Sequence, residues 1–285
     1  MSYEENRRPA RRGPTAVATA VVTVAALTGC ASGGTPGGAD REDAKPGRSA
    51  DSRAAGERPS RQPLAGRTVV VDPGHNPGNF QHTDEINQLV DIGTNRKNCD
   101  TTGTATNSGY TEAAFTRDVS QRLRTLLEKQ GARVEFTHDG NRAFGPCVDE
   151  RARIGNAARA DAVVSVHADG SARGNRGFHL ILPGRVKEGQ ADTTRIVGPS
   201  RALGERIAGS FARATGSEPA NYINGGSGLD VRTDLGGLNL STVPKVFIES
   251  GNMRDAADAA LLSSPGWRQR AAAGIANGIR DFLTG

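Results

Sequence analysis

Three short apolar runs each end on residues with chemistry to offer. Val69-Val70-Val71 leads into Asp72-Pro73-Gly74-His75, Val163 to Val166 into His167-Ala168-Asp169, and Val246-Phe247-Ile248 into Glu249-Ser250-Gly251-Asn252. Further β-like runs occupy Arg133 to Thr137 and Gly177 to Leu182. Between them, Glu112 to Gln130, Val148 to Arg159, Pro199 to Thr215 and Pro265 to Leu283 carry helical spacing. Strands alternating with helices build βαβ units, which predict an α/β domain with a mostly parallel sheet flanked by helices. Local punctuation agrees: Thr111 stands where an N-cap is wanted, and Gly131 where a helix ends in a left-handed residue. Val119, Leu123, Leu126 and Leu127 recur every three to four residues, so one face of that helix belongs to the core.

In an open α/β sheet, ligands bind beyond the carboxyl ends of the strands. The three runs therefore deliver His75, His167 and Glu249 to one rim. Two histidines with one or two carboxylates form the donor set of a hydrolytic zinc, which takes three protein ligands and keeps a position for water. No short H-x-x-H or H-E-x-x-H spacing is present, so the convergence depends on the fold. The completing acid is open on these grounds. His82, Asp84, Glu85 and Asp91 all lie between Asn76 and Tyr110, and Glu85 remains a candidate. Glu112 is favoured because it opens a helix that fixes its backbone, whereas the preceding Gly- and Asn-rich loop is expected to be mobile.

Composition excludes several classes. With 37 Gly, 14 Pro, two Met, one Trp and 4% aromatic residues in 285, the chain is not a polytopic membrane protein. Three Cys cannot staple a disulfide-dense miniature scaffold. The net charge of +5 is unevenly placed: residues 1–66 hold 10 Lys+Arg against 7 Asp+Glu, residues 67–285 hold 26 against 24. A nearly neutral domain with interleaved charges lacks the basic footprint of a nucleic-acid binder, and no nucleic-acid partner is expected.

The N-terminus reads as an export address. Arg7, Arg8, Arg11 and Arg12 precede an uncharged run from Ala16 to Leu27, closed by Leu27-Thr28-Gly29-Cys30. This is a signal segment, residues 1–29, too short to span a membrane as a mature helix. It resembles the bacterial lipoprotein signal, which implies that Cys30 is lipidated and becomes the mature N-terminus. The arginine pairs also permit twin-arginine export. Residues 30–66 are rich in Gly, Pro, Ser and Ala and read as a disordered tether with a reach of roughly 30–35 Å. Residues 67–285 form the expected catalytic domain.

Taken together, the motifs resemble the zinc-dependent N-acetylmuramoyl-L-alanine amidases that trim bacterial peptidoglycan. The resemblance rests on Asp72-Pro73-Gly74-His75, Gly109-Tyr110-Thr111-Glu112, Glu150-Arg151 with Asn156 and Ala160-Asp161, Ser165-Val166-His167-Ala168-Asp169, and Pro244 to Gly251. It implies a single domain with a roughly six-stranded mixed sheet. It further implies one zinc ion held by His75, Glu112 and His167, and Glu249 as the catalytic acid or base rather than a ligand. The implied reaction cleaves the bond between N-acetylmuramic acid and the L-alanine of the stem peptide, in the service of cell-wall remodelling. Two departures stand out: a long insertion from Asn76 to Gly109, and Gly251-Asn252-Met253-Arg254 after Glu249, which leaves substrate contacts at Asn252 or Arg254 in doubt. Leu182 to Ser200 is too short for the plugging helix of some members, so no displacing partner is expected.

With Cys30 used by lipid, Cys99 and Cys147 remain as an even pair in an oxidising compartment, and a disulfide between them is expected. It would clip the insertion onto the segment before the Val148 helix. His82, His138 and His179 are not first-choice ligands, His179 because it alternates within a strand. Arg232, in the Gly-rich stretch from Gly225 to Gly237, is a candidate for binding a peptide carboxylate. The expected protein is a monomer, tied by lipid on Cys30 to the outer face of the bacterial cytoplasmic membrane, with peptidoglycan as partner. The competing readings are a non-catalytic or activator-dependent wall-binding protein, and a zinc peptidase cutting within the stem peptide.

Overall fold

A computed structural model describes residues 62–285; the signal segment, Cys30 and the tether up to residue 61 lie outside the described residues. The six-stranded sheet contains β1 (Thr68–Pro73), β2 (Arg133–Phe136), β3 (Ala162–Asp169), β4 (His179–Pro183), β5 (Leu229–Arg232) and β6 (Lys245–Asn252). Their order is β2-β1-β3-β6-β4-β5. All neighbours run parallel except β6 and β4, so the sheet is mixed and mostly parallel. The main helices are α1 (Glu112–Lys129), α2 (Val148–Ala157), α3 (Val197–Thr215), α4 (Ala256–Ser263) and α5 (Pro265–Thr284).

Strand side chains alternate between faces, and here the two faces differ in kind. One carries Val69, Val71, Val164, Val166, Leu180, Leu182, Val246 and Ile248, which join the apolar residues of α1, α3 and α5 in the main core. The pairing of α3 with α5 is close because Gly278 meets it without a side chain: a Cβ there would lie 2.4 Å from the Ile207 Cα. The other face offers only a small apolar cluster of Val70, Ala160 and Val163. By register it carries Asp72, Ser165, His167, Phe247 and Glu249.

The folded body reaches back beyond the expected boundary at residue 67. Leu64 is fully buried in the core, and its N–H donates to the Gln130 carbonyl, so the last large aliphatic of the expected tether belongs to the domain. The insertion is likewise ordered, contrary to the expected mobility. Asn76 Nδ2 donates to the Gly145 carbonyl at 2.9 Å, and Asn79 Oδ1 accepts from the Gly145 N–H at 2.9 Å. Leu89–Asp91 and Arg96–Asn98 then pair as a hairpin. The Cys99–Cys147 disulfide fastens the insertion to the residue before α2, as the cysteine count implied. Between β4 and α3 the chain makes a small hairpin, Lys187–Glu188 with Ala191–Asp192.

Candidate functional site

Each candidate side chain reaches the carboxyl rim of the sheet by its own local device. His75 follows β1 with φ 60, a strained conformation for a residue with a side chain, and such strain concentrates at functional sites. His167 lies near the end of β3 and Glu249 near the end of β6, just before a register shift. Glu112 is the first residue of α1, behind the Thr111 cap whose hydroxyl accepts from the Ala114 N–H.

Their donor atoms converge. Glu112 Oε1 lies 3.1 Å from His75 Nε2 and 3.0 Å from His167 Nδ1, and one donor atom from each of the three residues falls within 4.8 Å of the others. The carboxylate is also fixed by the backbone, since Oε2 accepts from the Thr104 N–H at 2.9 Å and Oε1 from the Ala168 N–H at 3.2 Å. His75 Nδ1 faces the Thr101 carbonyl at 3.0 Å. A proton on Nδ1 toward that carbonyl leaves Nε2 free as a donor to a metal. The cluster is framed by glycines: a Cβ on Gly74 would come within 2.3 Å of the His167 ring, and one on Gly103 within 2.8 Å of Glu112 Oε2. Two imidazoles and one carboxylate, prepositioned in a cradle that excludes further side chains, suit a zinc ion with an open coordination position.

Electrostatics divide the two glutamates. Burial pushes the Glu112 carboxyl up, but the two histidines outweigh it and hold Glu112 well below the usual carboxylate range. Burial pulls His75 down, and the charge and hydrogen bond of Glu112 reverse the direction, so His75 is raised. Glu249 goes the other way: burial, then the charges of Glu112 and Asp169, push it well above the usual range, and its buried Oε2 has no hydrogen-bond partner. One carboxylate is thus built to stay ionised and the other to hold a proton readily, the division of labour that acid–base chemistry needs.

Beneath the cluster lies a buried ionic network. Asp72 accepts from Arg151 Nη1 at 2.7 Å, Thr137 Oγ1 at 2.7 Å, Ser165 Oγ at 2.8 Å and Lys245 Nζ at 3.1 Å. Arg151 continues to Asp100 Oδ2 at 2.9 Å, and Asp100 Oδ1 lies 3.8 Å from His75 Nδ1. Burial opposes the charge on Asp72, but Lys245 and Arg151 hold its carboxyl well below the usual range. The sequence carries one sign of this network: Lys245 opens an apolar strand, and a buried lysine requires a partner. Gly103 and Thr104 leave no comparable sign, because they act by lacking a side chain or through a backbone N–H.

A cleft of about 550 Å³ runs from His75 and His167 under the hairpin, past Lys97, Val148, Leu235 and Phe247. A second lobe of about 330 Å³ holds the cluster itself with Gly103, Asp169, Arg232 and Glu249. Arg232 is therefore on the cleft wall, where Asp234 occupies its fork at 2.7 and 2.8 Å. Glu85 stays outside the cluster and pairs with His82 at 3.1 Å. His138 faces the Pro73 carbonyl at 2.8 Å. Asn252 is committed to the backbone, donating to Ala172 and Asn175 and accepting from Ser171 and Arg254, and Arg254 donates to the Ala105 carbonyl.

The chain and its fold have counterparts among known proteins. An N-acetylmuramoyl-L-alanine amidase of Mycobacterium tuberculosis is 42% identical over 223 residues, covering 77% of this chain and 88% of that protein. The crystal structure of the amidase Ami1 from Mycobacterium smegmatis superposes with a TM-score of 0.70 at 40% identity, over 77% of this chain and 98% of that one. The apo form of Ami1 from Mycobacterium abscessus gives 0.71 at 41% identity, over 77% and 100%. Residues 69–281 match the family described as N-acetylmuramoyl-L-alanine amidase, and the chain belongs to that family.

Proposed function

We propose that this chain is a peptidoglycan hydrolase that cleaves the amide between N-acetylmuramic acid and the L-alanine of the stem peptide, with one zinc ion bound by His75, Glu112 and His167. The observation that carries this reading is the convergence of those three donors beside the buried carboxyl of Glu249 in one cleft. When bound, zinc supplies Lewis acidity toward the amide carbonyl and lowers the pKa of its water. His75, Glu112 and His167 would hold the ion, with Glu112 as the anionic donor. Glu249 takes the proton of the attacking water. As the tetrahedral intermediate collapses, the same carboxyl passes that proton to the leaving alanine nitrogen, releasing the stem peptide from the glycan. The adjoining cleft under the hairpin has room for substrate on one side of the cut bond, and Arg232 on the cleft wall is in reach of a peptide carboxylate once Asp234 yields.

Zinc suits the donor set, and the arginine-rich, apolar leader ending at Cys30 fits export followed by lipid attachment at the outer face of the cytoplasmic membrane. Among the described residues no helix is long and apolar enough to cross a membrane. On this reading the protein acts as a monomer held at that face by lipid on Cys30.

The test is mass spectrometry of muropeptides after incubating the full chain with peptidoglycan, with and without a chelator, beside Glu249→Ala. Free stem peptides beginning at L-alanine, formed only with metal and Glu249, are the expected result. Fragments cut within the stem would make the protein a zinc peptidase. Wall binding without any cleavage would make it a binding module or an enzyme awaiting an activator.

A further inference from the structure

Glu249 sits in a row that crosses three strands. In the parallel pairing of β3 and β6 it is opposite His167, and in the antiparallel pairing of β6 and β4 it is opposite His179. Residues opposed in this way put their side chains on the same face, with Cβ atoms about 5 Å apart. The carboxyl is therefore flanked by one imidazole in the metal cluster and by a second that the cluster does not use. His179 is 4% exposed, and its Nδ1 has no hydrogen-bond partner. The buried Oε2 of Glu249 also has none. Two unmatched buried polar atoms on directly opposed residues are an uncommon coincidence, since each such atom is costly when left unpaired.

The surroundings hold the ring on that side. Tyr222 packs edge-on against His179 at 5.9 Å between ring centroids, and its hydroxyl donates to Asp169 Oδ2 at 2.6 Å. Tyr222 thus ties the wall behind His179 to β3. Burial keeps His179 below the ordinary imidazole range, so the ring is neutral at neutral pH and has one N–H to give.

We propose that His179 is a positioning residue for Glu249: its Nδ1–H donates to Oε2 in the working enzyme and turns Oε1 toward the attacking water. His179 keeps its own proton, and the proton taken from water goes to Oε1 and from there to the leaving nitrogen. The inference rests on Glu249 being the acid–base group of the proposed function. Without His179 the carboxyl swings between rotamers, and misplacement of a reacting group by an ångström costs on the order of 100-fold.

The experiment compares the full-length zinc-loaded chain with His179→Leu, His179→Gln, Glu249→Gln and the double variant Glu249→Gln/His179→Leu, by kcat and KM on soluble muropeptide, zinc content and melting temperature. The expected result for His179→Leu is a kcat about 10- to 100-fold lower, KM within about twofold and full zinc content. His179→Gln, which keeps a donor, recovers most of the loss. In the Glu249→Gln background His179→Leu has no further effect on residual turnover, because its route to the chemistry is already gone. If Glu249→Gln is inactive while His179→Leu turns over normally, or shifts KM alone, or lowers residual turnover again in the double variant, the inference is overturned and the amidase reading stands. If Glu249→Gln itself remains active, the acid–base assignment falls and takes the inference with it.

Discussion

Removing the Cys99–Cys147 disulfide with Cys99→Ser/Cys147→Ser should damage both stability and the metal site. The bond closes a loop between residues 48 apart in sequence. In the chain-entropy account a loop of that length constrains the unfolded state by about 4 kcal/mol. For a domain the size of residues 62–285 this corresponds to a melting temperature lower by about 8–9 °C. The damage should not stay global, because the chain just past Cys99 holds the cluster: the Thr101 carbonyl faces His75, the Thr104 N–H grips Glu112, and Asp100 joins Arg151. Loosening partners that orient metal ligands typically weakens metal binding by about 10- to 100-fold. The assays are thermal melts of both forms and competition for zinc with a chelator of known affinity. Melting within a degree or two of the parent would show that Asn76, Asn79 and the Arg151 network close the loop unaided. Unchanged zinc affinity would refute the idea that the bond supports the site.

Three further outcomes follow from the same structure. Glu249→Gln should lower kcat by about 10²- to 10⁴-fold while zinc content measured by metal analysis stays at one per chain. Asp72→Asn leaves Lys245 buried without its acid and Arg151 with Asp100 alone, and should cost about 3–5 kcal/mol in denaturant unfolding. Because the folded pKa of Asp72 is depressed, its contribution is complete above the unfolded value of about 4 and is lost as pH falls below it, so the variant should show a shallower loss of stability on acidification than the parent. Gly278→Ala should destabilise by about 1–3 kcal/mol, read in the same unfolding assay, because its Cβ would meet backbone of α3 rather than a yielding side chain.

How much of this could be read beforehand depended on how far away the deciding partner lay. The strands β1, β2, β3 and β6 and the helices α1 and α5 follow from local periodicity, and the structure agrees to within a few residues. The strand β5 escaped because it is four residues long at the sheet edge, with Val231 48% exposed, inside a Gly-rich stretch that reads as loop. The helix α4 escaped although its signal was present: Asp255 caps it, accepting from the Ala257 and Asp258 N–H groups, but eight residues give too few turns for a period to register. The order of the insertion had no local signal, since Asn79 is fixed by a glycine 66 residues away.

The site face shows the deeper reason why pattern reading stops where function starts. Asp72 closes the valine run of β1, while Ser165 and Lys245 neighbour valines in β3 and β6, and polar residues interrupting a strand in this way ordinarily face water. Here α2 and the insertion cover that side, and Asp72, Ser165 and Lys245 are each no more than 1% exposed. The residues that look solvated are instead mutually neutralised: two cations against Asp72, and Asp100 taking the second arm of Arg151. Such a network lends little net stability compared with an apolar core of the same volume. What it supplies is a rigid, charge-balanced floor under the rim where His75, Glu112 and His167 meet. A sheet with two apolar faces would fold as well, and would have nothing to hold the cluster in register.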